Sequence, residues 1–349
     1  MRRAPEDRAS ERGVALLVTL FATALLTVLV IEFTYSTQVD TRRTALWAKG
    51  RRAHLLAEAG VMLGMELLGQ DVRFTGADSL DELWARPLPP LETGGGLIHV
   101  AIEDLDGRFD LNRLRSGAGA RGGQVFGRLV SAVGLDPGLV GALADWIDRN
   151  RLVTRSPEGA EDLYYEALDP PYEPRNGMLA SRAELALVRG FDAEALARLD
   201  PYVAVSFDDA PRERVNVNTA PEWVLRTVHP ALDDPAVSAA IVAARKGVPI
   251  RSFETLRQIP GVGVLGERAL ADLFVFSSTR FRIRATGEVD EVFQSIDAVV
   301  ERRSASDLRV HYWLARRGPL VAGIDTEGTA SLAETELLRS RNRRLRTAP

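Results

Sequence analysis

Asp145, Asp148, Asn150, Glu161 and Asp162 bring five oxygen-bearing side chains into one short stretch near the middle of the chain. Asp145 and Asp148 are three residues apart at the end of an apolar helical run, so they share a helix face. Asp148 and Asn150 alternate as oxygen donors, and Glu161 and Asp162 can close the set from across the intervening loop. Hard oxygen ligands without histidine or cysteine favour Ca2+ over transition metals. The plain alternative is a solvated acidic loop beside Arg149, Arg151 and Arg155, because acidic side chains are mostly exposed. Residue type and spacing leave both open. A second acidic string, Asp104, Asp106 and Asp110, lacks the distal glutamate of an EF-hand and reads as a turn.

Other chemistries find less. The 349 residues contain no cysteine, which excludes disulfides, thiolate metal sites and a cysteine nucleophile. His54, His99, His229 and His311 are too scattered for a zinc motif. There is no nucleophile elbow, P-loop or His-Glu-x-x-His. For a hydrolase only dispersed carboxylates remain, so no enzyme is expected. Asn218-Thr219-Ala220 followed by Phe253 to Gly263 (FETLRQIPGVG) resembles a helix-hairpin-helix element, whose glycine hairpin can offer amides to a phosphate. Its basic residues, Arg245, Lys246, Arg251 and Arg257, are offset by Glu254 and Asp272. The formal net charge is −4. A structural use of the hairpin is favoured and no nucleic-acid partner is expected; a membrane-anchored DNA-binding protein is the alternative.

The elements that would position these groups begin with a membrane signal. Residues 1–13 are polar and carry Arg2, Arg3, Arg8 and Arg12. Val14 to Ile31 then runs without a charge. As a helix it spans about 27 Å, close to the hydrocarbon thickness of a bilayer. Thr19, Thr23 and Thr27 can bond back to helix carbonyls and are tolerated there. The leading arginines predict a cytoplasmic N-terminus. A cleaved secretory signal needs a shorter apolar core and a small-residue site after it, and neither is present. A plain signal anchor and a type IV pilin-like leader, cut between Gly13 and Val14, remain. The helical pattern continues without proline to about Leu68, becoming amphipathic, so its second half can pack on a globular head.

Arg86 to Gly96 reads as a linker. Leu97 to Leu105 alternates as a strand, Asp106-Gly107 suits a hairpin turn, and Phe109 to Leu111 is the expected return strand. Strands reappear at Phe281 to Thr286, Val292 to Glu301 and Leu308 to Ala315. The economical arrangement is an α+β fold. Its antiparallel head (97–115 and 278–316) packs on the first helix (14–68) and is split by an all-α insertion (116–277) of SAM-like or helix-hairpin-helix units, about 116–205 and 206–277. A weak repeat supports the two units. Asp110-Leu111-Asn112 and Asn216-Val217-Asn218 each precede a helix, a Leu-Asp-Pro type of turn and a second helix, at Leu139 to Ile147 and Val237 to Arg245. The arginine-rich segment 318–349 is expected to be disordered.

Together these parts resemble the K-type minor pseudopilins of type II secretion systems. The resemblance rests on Arg12-Gly13 before VALLVTLFATALL, Asp110-Leu111-Asn112, DWID at 145–148, GAEDLYY at 159–165, PYEPRNG at 171–177 and VNVNTA at 215–220. It implies a structural subunit at the pseudopilus tip that initiates or caps assembly and supports export across the outer membrane. It also implies leader cleavage by prepilin peptidase, a methylated N-terminus at Val14, and a single inner-membrane pass with a periplasmic head. I- and J-type minor pseudopilins are the implied partners. Ordinary pilins carry glutamate where this chain has Val18, and that loss accompanies the tip position. The resemblance further implies structural Ca2+ held by Asp145, Asp148, Asn150, Glu161 and Asp162, with Asn176 as a neighbour. Asn150 departs from the commoner acid.

Overall fold

A computed structural model describes residues 5–74, 76–116, 120–153, 159–207 and 213–320. Its first element, α1 (Pro5–Phe74), is a single 70-residue helix, about 105 Å long. It runs unbroken through Gly13 and Val14 and ends six residues beyond the expected Leu68. Val14 to Ile31 is exposed throughout, as a bilayer-spanning segment would be. Thr19, Thr23 and Thr27 donate to the carbonyls of Leu16, Thr19 and Thr23 at 2.8 Å, so no hydroxyl of these three faces lipid unsatisfied.

The chain then forms β1 (Leu91–Thr93), β2 (Gly96–Asp104) and a short β3 (Phe109–Asp110). Four helices follow, α2 (Arg121–Ala132), α3 (Leu139–Ile147), α4 (Asp162–Glu166) and α5 (Ala193–Leu199), then β4 (Val203–Ala204) and β5 (Val215–Asn216). Four more are α6 (Glu222–Thr227), α7 (Pro235–Ala244), α8 (Phe253–Arg257) and α9 (Glu267–Leu273). The short β6 (Phe274–Val275) precedes the long strands β7 (Arg280–Val289), β8 (Val292–Arg302) and β9 (Leu308–Arg317).

Strands β1-β2-β7-β8-β9 make one antiparallel sheet in that order. One face carries Ile98, Val100, Ile102, Phe281, Ile283, Ala285, Ile296, Ala298 and Val300 against Ala57, Val61 and Leu68 of α1. A methyl group on Gly287 would stand 1.9 Å from the carbonyl oxygen of Ala53, so glycine there lets helix and sheet approach. Two expectations are corrected. The supposed linker contains β1, which pairs with β2 through the turn at Thr93 to Gly96. Phe109 to Leu111 is not a return strand. Phe109 and Asp110 pair in parallel with Val203 and Ala204, inside the helical insertion. The chain is drawn away from β2 because Asp106 and Asp110 both bind Arg280, at 2.8 and 3.2 Å.

The insertion holds two units built alike. In the first, Asn112 Nδ2 donates to the carbonyls of Leu179 and Ser206, while Asn112 Oδ1 accepts the Leu179 amide at 2.8 Å. In the second, Asn218 Nδ2 donates to Ile250 and Phe276, while its Oδ1 accepts the Ile250 amide at 2.8 Å. Both asparagines are buried. Each unit is closed by a short parallel bridge, β3 with β4 and β5 with β6. The repeat seen in sequence is therefore a repeated hydrogen-bonded hub. The two units have separate apolar cores, around Phe109, Phe126 and Trp146 and around Leu225, Ile241 and Phe274.

The insertion leaves the sheet after Asp104 and returns at Arg280, beside the C-terminal end of α1. There Arg302 donates to the Leu68 carbonyl at 3.1 Å and pairs with Asp71 at 3.3 Å. It therefore stacks on the end of the head farthest from Val14 to Ile31. The segment expected to be disordered lies, from residue 321 on, outside the described residues.

Candidate metal centre

Helix α3 is almost wholly apolar, yet its last turn carries Asp145, which is 0% exposed. Asp148 terminates the helix with extended backbone, its amide bonded to Ala144 at 2.9 Å. Glu161 precedes α4 and is 4% exposed. An aromatic stack brings α4 onto α3: Trp146 lies edge-on to Tyr165 at 5.1 Å, and Tyr165 packs on Tyr172 at 5.4 Å. The Tyr172 hydroxyl donates to the Leu187 carbonyl at 2.8 Å and fixes the return of the chain. Asn176, with a φ of 50°, bonds its amide to the Trp146 carbonyl at 3.0 Å and so sits at the end of α3.

The result is a tight triad. One carboxylate oxygen from each of Asp145, Asp148 and Glu161 lies within 4.8 Å of the others. Oxygens on a single Ca2+, each about 2.3–2.6 Å from it, lie no more than about 5 Å apart. Neither carboxylate oxygen of Glu161 has a hydrogen-bond partner, and neither does Asn176 Oδ1, although all three atoms are buried. Such atoms normally carry a heavy desolvation penalty, and a cation would remove it. Burial, then Asp145, Asp148 and Asp162, push the Glu161 carboxyl up to about 7, against the pull of Arg151. Burial also raises Asp148, opposed by the Asn150 amide. The donor set, its spacing and its unmet oxygens fit a hard divalent cation.

Two of the residues expected from sequence stand apart. Asn150 is exposed, and its Oδ1 accepts the Leu152 amide at 2.7 Å in a local turn. Asp162 opens α4 and pairs with Arg151 at 3.2 Å.

A second carboxylate group had no sequence signal, because its members come from separate structural segments. Asp71, Asp78 and Glu82 also bring oxygens within 4.8 Å. Arg302 supplies their counter-charge by pairing with Asp71 and Asp78, so this cluster is already served by a cation of the chain. The acidic string read as a turn is a buried joint. Asp104 accepts from Ser278 Oγ at 2.6 Å and from Thr219 Oγ1, and burial followed by Asp106 raises it to about 7. These bonds tie the sheet to the second helical unit.

The helix-hairpin-helix element is present as α8, the glycine hairpin and α9. Gly261 has a φ of 84°, and a methyl group there would meet Val237 Cγ2 at 2.3 Å. The charge around it is mixed, however: Lys246, Arg251 and Arg257 are exposed, and so are Glu254 and Asp272. Arg245 is buried and donates to the Val217 and Ala220 carbonyls at 2.8 Å, while the hairpin presents the exposed Val264. Nothing in the arrangement of the described residues supports the DNA-binding alternative, which depends on a concentrated basic face.

A long helix, apolar first and then packed on an antiparallel sheet, with a helical insertion at the far end, defines a pilin-like, membrane-anchored subunit. Comparison narrows the class. Residues 107–208 match the family model for type II secretion system protein K. The protein of that name from Pseudomonas aeruginosa is 34% identical over 251 residues, covering 68% of this chain and 73% of the relative. That from Aeromonas hydrophila is 29% identical, covering 83% and 92%. A chain in the crystal structure of the GspK-GspI-GspJ complex from enterotoxigenic Escherichia coli superposes with a TM-score of 0.68 at 22% identity, covering 79% of this chain and 100% of that one. The chain belongs to the type II secretion protein K family and is a minor pseudopilin of that system.

Proposed function

We propose that this subunit occupies the tip of the pseudopilus, where it starts or caps assembly with I- and J-type minor pseudopilins. The role is structural rather than catalytic. The observation that carries the reading is the position of the insertion: both helical units stack on the membrane-distal end of the head, in the space a further subunit above would need. The similar solved chain comes from a complex of GspK, GspI and GspJ, which supports those partners. Val18 agrees. A buried glutamate there would need the N-terminal amine of a preceding subunit, and a tip subunit has none ahead of it.

The apolar segment Val14 to Ile31 would anchor the chain once in the inner membrane, N-terminus inside and head in the periplasm. Prepilin peptidase would cut between Gly13 and Val14. Asp145, Asp148 and Glu161 would hold one calcium ion, with Asn176 Oδ1 beside them. Bound there, the ion supplies the charge that lets three buried carboxylates coexist and pins α4 to the end of α3.

Gold labelling of the insertion on isolated pseudopili tests the position. Labels confined to one end of each filament are expected; labels along the shaft would exclude a tip role. The mass of the N-terminal peptide from cells with active prepilin peptidase should correspond to a start at Val14. A retained leader would remove the pilin pathway.

A further inference from the structure

The five-stranded sheet ends in β9, a strand of 10 residues. Among the described residues no strand pairs with its outer edge. After β9 the chain turns inward rather than along that edge. Gly318 (φ 93°) bonds its amide to the Phe293 carbonyl at 3.2 Å, and the Leu320 amide donates to Thr286 Oγ1 at 3.2 Å, across β8 on β7. Because the Gly318 amide points at β8, alternation turns the amides of Trp313, Ala315 and Arg317 outward.

The two faces of β9 differ in chemistry. Val310, Trp313 and Ala315 pair with Val300, Ala298 and Ile296, so they lie on the face that α1 covers. The helix packs on β2, β7 and β8, however, and leaves Val310 and Trp313 each 43% exposed. The opposite face carries Arg309 and Arg316, and Arg317 ends the strand. No acid occurs in β9 itself, in a chain whose formal net charge is −4. The acids beside it are already paired: Asp307 with Arg309, Glu301 with Arg303 and His311, and Asp297 with Arg282.

The register slips at His311, between the pairs Val299 with Tyr312 and Val300 with Val310. A bulge and positive charge keep an edge strand from pairing with its own copies. Two copies edge to edge would set arginine against arginine. The same charge favours a strand of opposite sign.

We propose that β9 is a docking edge for an extended segment of another protein, one that alternates apolar and acidic residues and adds to the sheet as a further strand. Its backbone would meet the outward amides, its apolar side chains Val310 and Trp313, and its acids Arg309 and Arg316. The proposal rests on neither the calcium site nor the tip position.

The probe is a labelled peptide as long as β9, alternating valine and glutamate. By fluorescence anisotropy with the full chain in detergent, it should bind at least about tenfold more tightly than its valine–lysine counterpart. Equal binding would overturn the proposal. The bound peptide should slow amide exchange at Trp313, Ala315 and Arg317 severalfold. Binding without that protection would be attraction of charge alone and would also overturn it. Ala315→Pro, which removes an outward amide at an edge position, should weaken binding about tenfold. Arg309→Glu with Arg317→Glu should shift the preference to the lysine peptide, a gain that misfolding cannot produce. Self-association abolished by Ala315→Pro would make a second copy the occupant instead. Protection of the same amides without peptide, lost in a chain ending at Leu320, would make the chain's own C-terminal residues the occupant; either result would sink the proposal.

Discussion

The two helical units share a hub and differ in what they hang from it. In each, one buried asparagine grips an amide and two carbonyls from segments far along the chain. In the second unit, α7 passes to α8 through a short turn at Gly247, and Arg245 turns inward onto backbone carbonyls. In the first, a long excursion leaves α3 at Asp148 and rejoins at Leu179, carrying α4, the tyrosine pair and Glu161. That excursion packs an acidic cluster against an apolar core. Two units built on like hubs thus differ: one is braced by an inward arginine, the other carries a cluster of carboxylates.

The largest effect should come from the shared hub. Asn112→Ala and Asn218→Ala each remove three hydrogen bonds and strand buried backbone groups, at a cost of about 3–5 kcal/mol. Urea titration should show comparable losses for both. A silent substitution at either position would mean the two hubs are alike only in outline.

Calcium should then separate the units. At a concentration about a hundredfold above its dissociation constant, the ion should add about 2.7 kcal/mol to the first unit. Hydrogen exchange should show the gain in residues 160–176 and not in 237–273. Glu161→Gln should abolish it. Protection rising equally in both units would dissolve the contrast.

The same carboxylate makes the contrast depend on pH. Glu161 is raised from 4.5 to about 7, so the metal-free fold holds its proton more tightly than the unfolded chain does. Its contribution to stability is fully present below about pH 4.5 and is lost as pH rises through about 7. Asp71 and Asp104, also raised to about 7, act in the same direction. Calcium competes with the proton on Glu161. Its affinity should therefore fall about tenfold per unit below pH 7 and level off above, which calorimetric titration at about pH 5.5, 6.5 and 8 would follow. A flat profile would separate Glu161 from the ion.

The smallest change should follow Asp162→Asn, which removes a pair with the exposed Arg151 and one of the weaker charges acting on Glu161. A loss within about 1 kcal/mol in stability or calcium affinity is expected from thermal melts and titration. A loss matching Glu161→Gln would place Asp162 on the ion and sharpen the site to four carboxylates.

Much of this was legible in sequence wherever the signal was local. Helix periodicity located α1 and α3, alternation located β2 and β7 to β9, and the Asp-Pro turns located the units. Asp145 and Asp148 announced themselves by sharing a helix face. Asn150 and Asp162 had the right chemistry and spacing as well. Only the fold shows that Asn150 Oδ1 accepts the Leu152 amide and that one Asp162 oxygen pairs with Arg151. Phe109 and Asp110 looked like a hairpin's second strand because their true partners, Val203 and Ala204, lie far along the chain, beyond the whole first unit.

By itself the amino-acid sequence determined a helix long and apolar enough to span a membrane, the cysteine-free chemistry, the order of the elements and the acidic character of the first unit. These depend on residue type and short-range period, which survive without a fold. Tertiary structure decided which oxygens meet, that Arg302 answers Asp71 and Asp78, that Arg245 is a buried brace, and that the insertion stands at the distal end of the head. Each of those is a contact between residues distant in sequence, and only chain packing brings them together and sets the burial that governs their charge.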